Sequence, residues 1–177
     1  MTQVLVSIVM GSTSDWSVMQ TTAELLEQFQ LPYEVTVSSA HRAPQRTAAL
    51  ARQAAARGVK VIIAGAGGAA HLAGLLAAET ILPVIGVPID ASPLQGLDAL
   101  LATVQMPRGV PVATMAVGRA GAANAAILAA QILALSDARV AARMQEYKAG
   151  LAAKVEQDAA ALQATIQRRE DDTHAGR

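Results

Sequence analysis

Residues 38–45 read SSAHRAPQ and follow a strand-like run, YEVTV. They set a histidine beside an arginine in a chain that has three histidines and no cysteine. Histidine transfers protons near neutral pH. Arginine holds a phosphate through paired hydrogen bonds. His41 and Arg42 therefore suit a phosphorylated substrate undergoing proton transfer. A loop histidine on its own more often has a structural role, and its place beside a permanent cation is what favours chemistry here.

Two further loops carry candidates. GSTSD (11–15) joins a strand to a helix start, where free N–H groups favour an anion. Gly11 allows the tight turn, and Ser12 and Ser14 add hydroxyls. Capping of the helix by Ser14 or Asp15 explains the same residues about equally well. Asp15 would repel a phosphate placed on it and suits ribose hydroxyls better. GAGGAAH (65–71) allows two readings. Gly65, Gly67 and Ala70 fit the dinucleotide fingerprint, with Asp90 at the expected distance, which would make the chain a nicotinamide-dependent oxidoreductase. Against this, the fingerprint belongs on the first strand of its unit and here follows the third, and Pro88 interrupts the strand carrying Asp90. The other reading is a glycine loop that approaches a small planar ligand, with His71 beside it. QMPRG (105–109) adds Arg108, or is an exposed turn. No His/Asp/Glu cluster has metal-ligand spacing, and neither a serine elbow nor a phosphate-binding P-loop is present.

The elements that position these loops follow from the pattern. VLVSIVM (4–10), KVIIAGA (60–66) and PVIGVPI (83–89) are apolar runs expected of buried parallel strands, with YEVTVSS (33–39) and VPVATMAV (110–117) as two more. Helices are expected over 15–30, 44–57, 69–79, 95–104, 120–135 and 137–166, with 1–166 as one domain and 167–177 a frayed tail. Strict alternation implies an α/β fold with a five-stranded parallel sheet covered on both faces. Ligands in such sheets bind beyond the carboxyl ends of the strands, and the distinctive loops, QMPRG among them, are expected there. The helix over 120–135, AGAANAAILAAQIL, is apolar all round. It should bury more than one sheet face can cover, so a second subunit is expected against it.

Composition narrows the class. The 177 residues are 53% hydrophobic but 2% aromatic, so the core is aliphatic. Zero net charge leaves no electrostatic footprint for nucleic acid or an anionic membrane. No apolar run reaches a membrane span, and the N-terminus reads as a strand and not as a signal peptide. A cytoplasmic protein is expected. Residues 1–136 hold only half of the charged side chains, so charges in the loops of the body, Asp15, Arg42, Arg108 and Arg119, call for a reason.

GSTSDW, SAHRAP, AGAGGAAHLAG, GVP, QMPRGVPVAT and AGAANAAILAAQIL, in that order and spacing, resemble the phosphoribosylaminoimidazole carboxylase catalytic-subunit family of purine biosynthesis. The resemblance runs from Val4 to Leu135 and is nearest to the bacterial mutase branch. Ala73 replaces a usual proline and Ala43 a usual threonine. The resemblance implies a flavodoxin-like three-layer sandwich, an octamer, and no metal or organic cofactor. It implies transfer of a carboxylate from the exocyclic nitrogen to carbon 4 of an aminoimidazole ribonucleotide, with His41 as the general acid/base. Ser12, Asp15, Ser39 and Arg42 would hold the ribose phosphate, with Ser14 and Ala40 nearby. Gly67, Gly68, Ala69 and Ala70 would cover the released carbon dioxide, with His71 behind them. A relative that takes free carbon dioxide shares the core motifs, and a non-catalytic nucleotide-binding module is a further alternative.

Overall fold

A computed structural model describes residues 3–175, and their side chains as far as residue 169. Five strands, β1 (Val6–Met10), β2 (Tyr33–Val37), β3 (Val61–Gly67), β4 (Val84–Ile89) and β5 (Ala113–Thr114), form one parallel sheet in the order β2-β1-β3-β4-β5. This is the flavodoxin-like order. Six helices accompany it: α1 (Trp16–Gln28), α2 (Pro44–Ala54), α3 (Leu72–Ala78), α4 (Leu97–Val104), α5 (Arg119–Ala134) and α6 (Ala138–Ala175).

Side-chain alternation along the strands divides the core in two. Val6, Ile8, Val61, Ile63, Ile85 and Val87 face one way and pack with α1, α5 and the start of α6. Val9, Ile62, Ala64 and Val84 face the other way and pack with α2 and α3. Both faces of the central strands are buried, which is why they read as unbroken apolar runs.

Four features depart from the sequence reading. First, β5 is two residues long, not eight. Pro107, Gly109 at φ +99° and Pro111 shape its approach, and a proline cannot donate to the ladder. Second, α3 begins at Leu72 and not at Ala69, because Gly68 turns at φ +59° and the N–H groups of Ala70 and His71 close back on the carbonyls of Gly68 and Ala69. Third, much of α5 is covered within the single chain, while Ile127, Leu128 and Ile132 stay half-buried. Ala122, Ala125, Ala126, Ala129 and Ala130 are fully buried against α1, α6 and the sheet, all within one chain. Small side chains allow those helices to approach closely. Fourth, α6 continues through Ala175, beyond residue 166 where the helix was expected to end. Neither proline nor glycine interrupts the chain from Leu151 to Ala175, so nothing local ends the helix. Residues 176–177 lie outside the described residues. Among the described residues, no helix is long and apolar enough to cross a membrane.

Candidate active site

In this strand order, successive strands are added to one side of β1 (β2) and then to the other (β3), so the order reverses between β1 and β3, and the crevice at their carboxyl ends is the expected binding place. The loops after β1, β2 and β3 meet there around a cavity of about 450 Å³. It is bordered by Gly11, Ser12, Ser14 and Asp15 from the first loop, Ser39, Ala40, His41 and Arg42 from the second, and Ala66, Gly67, Gly68, Ala69, His71 and Leu72 from the third. Ala91, just past β4, closes it.

Each loop is held by its own bonds. After β1, the Gly11 N–H donates to the Gly65 carbonyl at 3.2 Å. Asp15 Oδ2 accepts the Ser12 N–H at 3.0 Å, and Ser12 Oγ accepts from the Ser14 N–H at 3.3 Å and from the Ser14 hydroxyl at 3.0 Å. This reciprocal pair is a capping box. The capping expected of Ser14 or Asp15 is done by Ser12 with Asp15 as its reciprocal partner, and both still face the cavity. Ser14 is instead a donor.

After β2, the Ser38 N–H donates to Met10 O at 2.8 Å and the Ser38 hydroxyl pairs with Thr47 at 2.7 Å, tying the loop to β1 and α2. Arg42 then turns back. Its N–H and Nε donate to Ser39 Oγ at 3.2 and 3.4 Å, and Nη2 donates to the Gly11 carbonyl at 3.3 Å. The guanidinium so bridges two loops while remaining exposed, with donors to spare for an anion. His41 Nε2 lies 2.7 Å from His71 Nδ1, and the two rings cross edge to face with centroids 4.9 Å apart.

After β3, Gly67 must be glycine. A methyl group there would meet Ala91 Cβ at 2.8 Å and the Ile89 carbonyl at 3.1 Å. Gly68 takes the left-handed turn at φ +59°.

Eleven of the twelve residues proposed from sequence border the cavity. Ala70 does not: it is 1% exposed and buried beneath the loop. Four residues that border the cavity were not among the twelve: Gly11, Ala66, Leu72 and Ala91. Ala91 could have been found, since it follows the carboxyl end of β4. The loop 105–109 is absent from the cavity. It precedes β5 and so lies on the amino side of that strand, and Met106 packs toward Gly74 of α3. The dinucleotide fingerprint also fails. Gly65 and Gly67 both belong to β3, so no glycine turn leads into a helix at that point. A side chain at Gly65 would meet Met19 Sδ at 2.6 Å, which makes it a packing glycine. Asp90 stands next to Gly118, outside the cavity. Among the described residues, no group of three or more His, Cys, Asp or Glu side chains is placed to hold a metal ion.

Burial raises the pKa of the Asp15 carboxyl above its ordinary 3.8, against the opposing pull of the Ser12 and Gly11 N–H groups. The folded state thus holds the Asp15 proton more tightly than the unfolded chain does. The cost of burying its charge is absent at low pH, grows as pH rises from 3.8 through the raised value, then stays constant. Asp15→Asn is accordingly expected to raise the Tm of the ligand-free protein at pH 7, with the gain vanishing below pH 3.8. Calorimetry across this range checks it. A variant less stable than the wild type at pH 7 would show that the N–H contacts outweigh the burial.

A family model described as AIR carboxylase matches residues 5–154, which include every residue bordering the cavity. The chain belongs to the AIR carboxylase family. Among AIR carboxylase family proteins, N5-carboxyaminoimidazole ribonucleotide mutase of Aliivibrio fischeri is 56% identical over 143 residues, 81% of this chain and 89% of that protein. The protein of the same name from Escherichia coli K12 is 54% identical over 143 residues, 81% of this chain and 85% of its own length. The one from Bacillus subtilis is 56% identical over 144 residues, again 81% and 89%. The crystal structure of Treponema denticola PurE superposes with a TM-score of 0.80 at 28% identity, covering 87% of this chain and 95% of that one.

Proposed function

We propose that this protein is an N5-carboxyaminoimidazole ribonucleotide mutase of purine biosynthesis, converting its substrate to 4-carboxyaminoimidazole ribonucleotide. The observation that carries this reading is the meeting of a phosphate anchor, Arg42, and a proton carrier, His41, in one cavity closed by a glycine loop. A cavity of about 450 Å³ suits a mononucleotide. The high identity to proteins named for this reaction supports the substrate class.

In this account Arg42 and the Ser12, Ser14 and Ser39 hydroxyls hold the phosphate, Ala40 lines the phosphate side, and Asp15 takes ribose hydroxyls. His41 gives a proton to the exocyclic nitrogen of the carbamate. The nitrogen–carboxyl bond breaks, its electron pair stays on nitrogen, and carbon dioxide is released. Carbon 4 of the ring attacks carbon dioxide, and the new carbon–carbon bond leaves an extra proton on that carbon. His41 removes it and the ring regains aromaticity. Protons given and taken balance. Gly67, Gly68 and Ala69, backed by Ala70 and Ala91, approach the ring closely enough to keep water from the gas. The test is an ultraviolet assay of N5-carboxyaminoimidazole ribonucleotide conversion beside a fluorescence titration with a nicotinamide dinucleotide. Turnover without dinucleotide binding is expected. The reverse result would make the chain an oxidoreductase, and ribonucleotide binding without turnover a binding module.

The protein is proposed to work as a homo-oligomer, an octamer. The most exposed apolar surface that supports this is on α4 and α6. Leu94, Leu97, Leu101 and Val104 recur at helical spacing around α4, each about half exposed or more. Every residue from 148 to 169 of α6 is exposed, including Leu151, Val155, Leu162 and Ile166. The spacing of these four repeats every eleven residues and continues the buried face begun by Val140 and Met144. Light scattering is expected to give about eight chain masses, and a Leu162→Asp, Ile166→Asp double variant a smaller assembly. A stable monomer at dilute concentration would contradict this.

A further inference from the structure

The close approach of the two imidazoles constrains which nitrogen of His41 does the chemistry. His41 Nε2 is 2.7 Å from His71 Nδ1, and among the described residues His41 Nδ1 has no protein partner. The proton cycle proposed above, on which this inference rests, needs His41 as an imidazolium before decarboxylation and as a neutral ring before the final proton removal. In the imidazolium both nitrogens carry protons, so Nε2–H must donate to His71 Nδ1. The latter is then bare, and the proton of His71 lies on its Nε2. If His41 released its proton from Nε2, two lone pairs would face each other across 2.7 Å, and His71 would have to change tautomer within the cycle. If His41 releases it from Nδ1, the contact survives both steps unchanged.

We infer that His71 is a positioning residue for His41: it accepts the Nε2–H throughout and so assigns proton transfer to Nδ1. The first step moves the Nδ1 proton of the His41 imidazolium to the carbamate nitrogen, and the last returns the ring proton of carbon 4 to Nδ1. His71 stays neutral and exchanges nothing. A hydrogen bond to one imidazole nitrogen fixes the state of the other in this way wherever histidine works as an acid or base. The residue is not a substrate ligand in this account, although it borders the cavity.

The test uses the full-length protein with 15N-labelled histidine, examined by magic-angle-spinning nuclear magnetic resonance at a pH where His41 is neutral. His41→Asn and His71→Asn assign the signals. His41 is expected in the Nε2–H tautomer alone. His71 is exposed, so its variants should fold. His71→Ala is expected to give a mixture of His41 tautomers and a kcat lower by ~10²-fold, the scale of a misplaced reacting group, with KM little changed. In His71→Asn the amide oxygen can stand where Nδ1 stood, and both the single tautomer and most of the kcat should return. Three results would overturn the inference: an Nδ1–H tautomer in the wild type, an unchanged tautomer and kcat in His71→Ala, or equal loss in the Ala and Asn variants. The tautomer is read without substrate, so a protein that fails to turn over N5-carboxyaminoimidazole ribonucleotide would fail the functional reading and leave this result standing.

Discussion

His41→Asn is expected to fold, to bind the ribonucleotide, and to turn it over ~10²–10⁴-fold more slowly, the usual loss when a general acid/base is removed. The loop that carries His41 is fixed by the Ser38 contacts to Met10 and Thr47, none of which involves the imidazole. The side chain is exposed, so the core does not depend on it. An asparagine can still hydrogen-bond His71 but cannot carry a proton through the cycle. Binding measured by calorimetry and turnover measured by ultraviolet absorbance should therefore separate. Near-normal turnover in the folded variant would remove His41 from the mechanism.

The second large effect is expected at Arg42. Arg42→Ala should weaken ribonucleotide binding by ~2–3 kcal/mol, the range for hydrogen bonds to charged groups, or roughly 30- to 150-fold in Kd. The riboside that lacks the phosphate should lose much less. Part of the loss is indirect, because the guanidinium also holds the Gly11 carbonyl and Ser39 hydroxyl that shape the phosphate side. Arg42→Lys should rescue little, since a point charge cannot make the same fork of contacts. Equal losses for nucleotide and riboside would mean that Arg42 does not anchor the phosphate.

Much of this was legible in the chain, for reasons that differ by element. The central strands β1, β3 and β4 are buried on both faces, so burial wrote itself into the sequence as continuous runs. The order β2-β1-β3-β4-β5 was implied by the family resemblance. Alternation alone gives parallel strands without fixing their sequence across the sheet. His41 and Arg42 stood out because the body carries few charges, and both meet in the cavity with residues from two other loops. The failures share a cause: tertiary context overrode a local pattern. Gly65 and Gly67, whose dinucleotide spacing the third-strand position and Pro88 already argued against, pack closely against Met19 and Ala91. Part of the apolar girth of α5, expected against a second subunit, is covered by α1 and α6 of the same chain. The loop 105–109 carries a cation and a proline, yet the strand direction sends it away from the cavity in the single chain. Neither the His41–His71 contact nor the return of Arg42 onto Gly11 could be read from residues thirty positions apart.

The central claim is that the carboxylate of the product comes from the substrate itself, through carbon dioxide kept under the glycine loop. Its most direct test is conversion of N5-carboxyaminoimidazole ribonucleotide in isotope-labelled bicarbonate, stopped within the first turnovers and read by mass spectrometry. The account predicts largely unlabelled 4-carboxyaminoimidazole ribonucleotide, and slow carboxylation when aminoimidazole ribonucleotide and modest bicarbonate are supplied instead. Full label from the first turnover, together with fast carboxylation of aminoimidazole ribonucleotide, would contradict it and make the protein a carboxylase that draws carbon dioxide from solution.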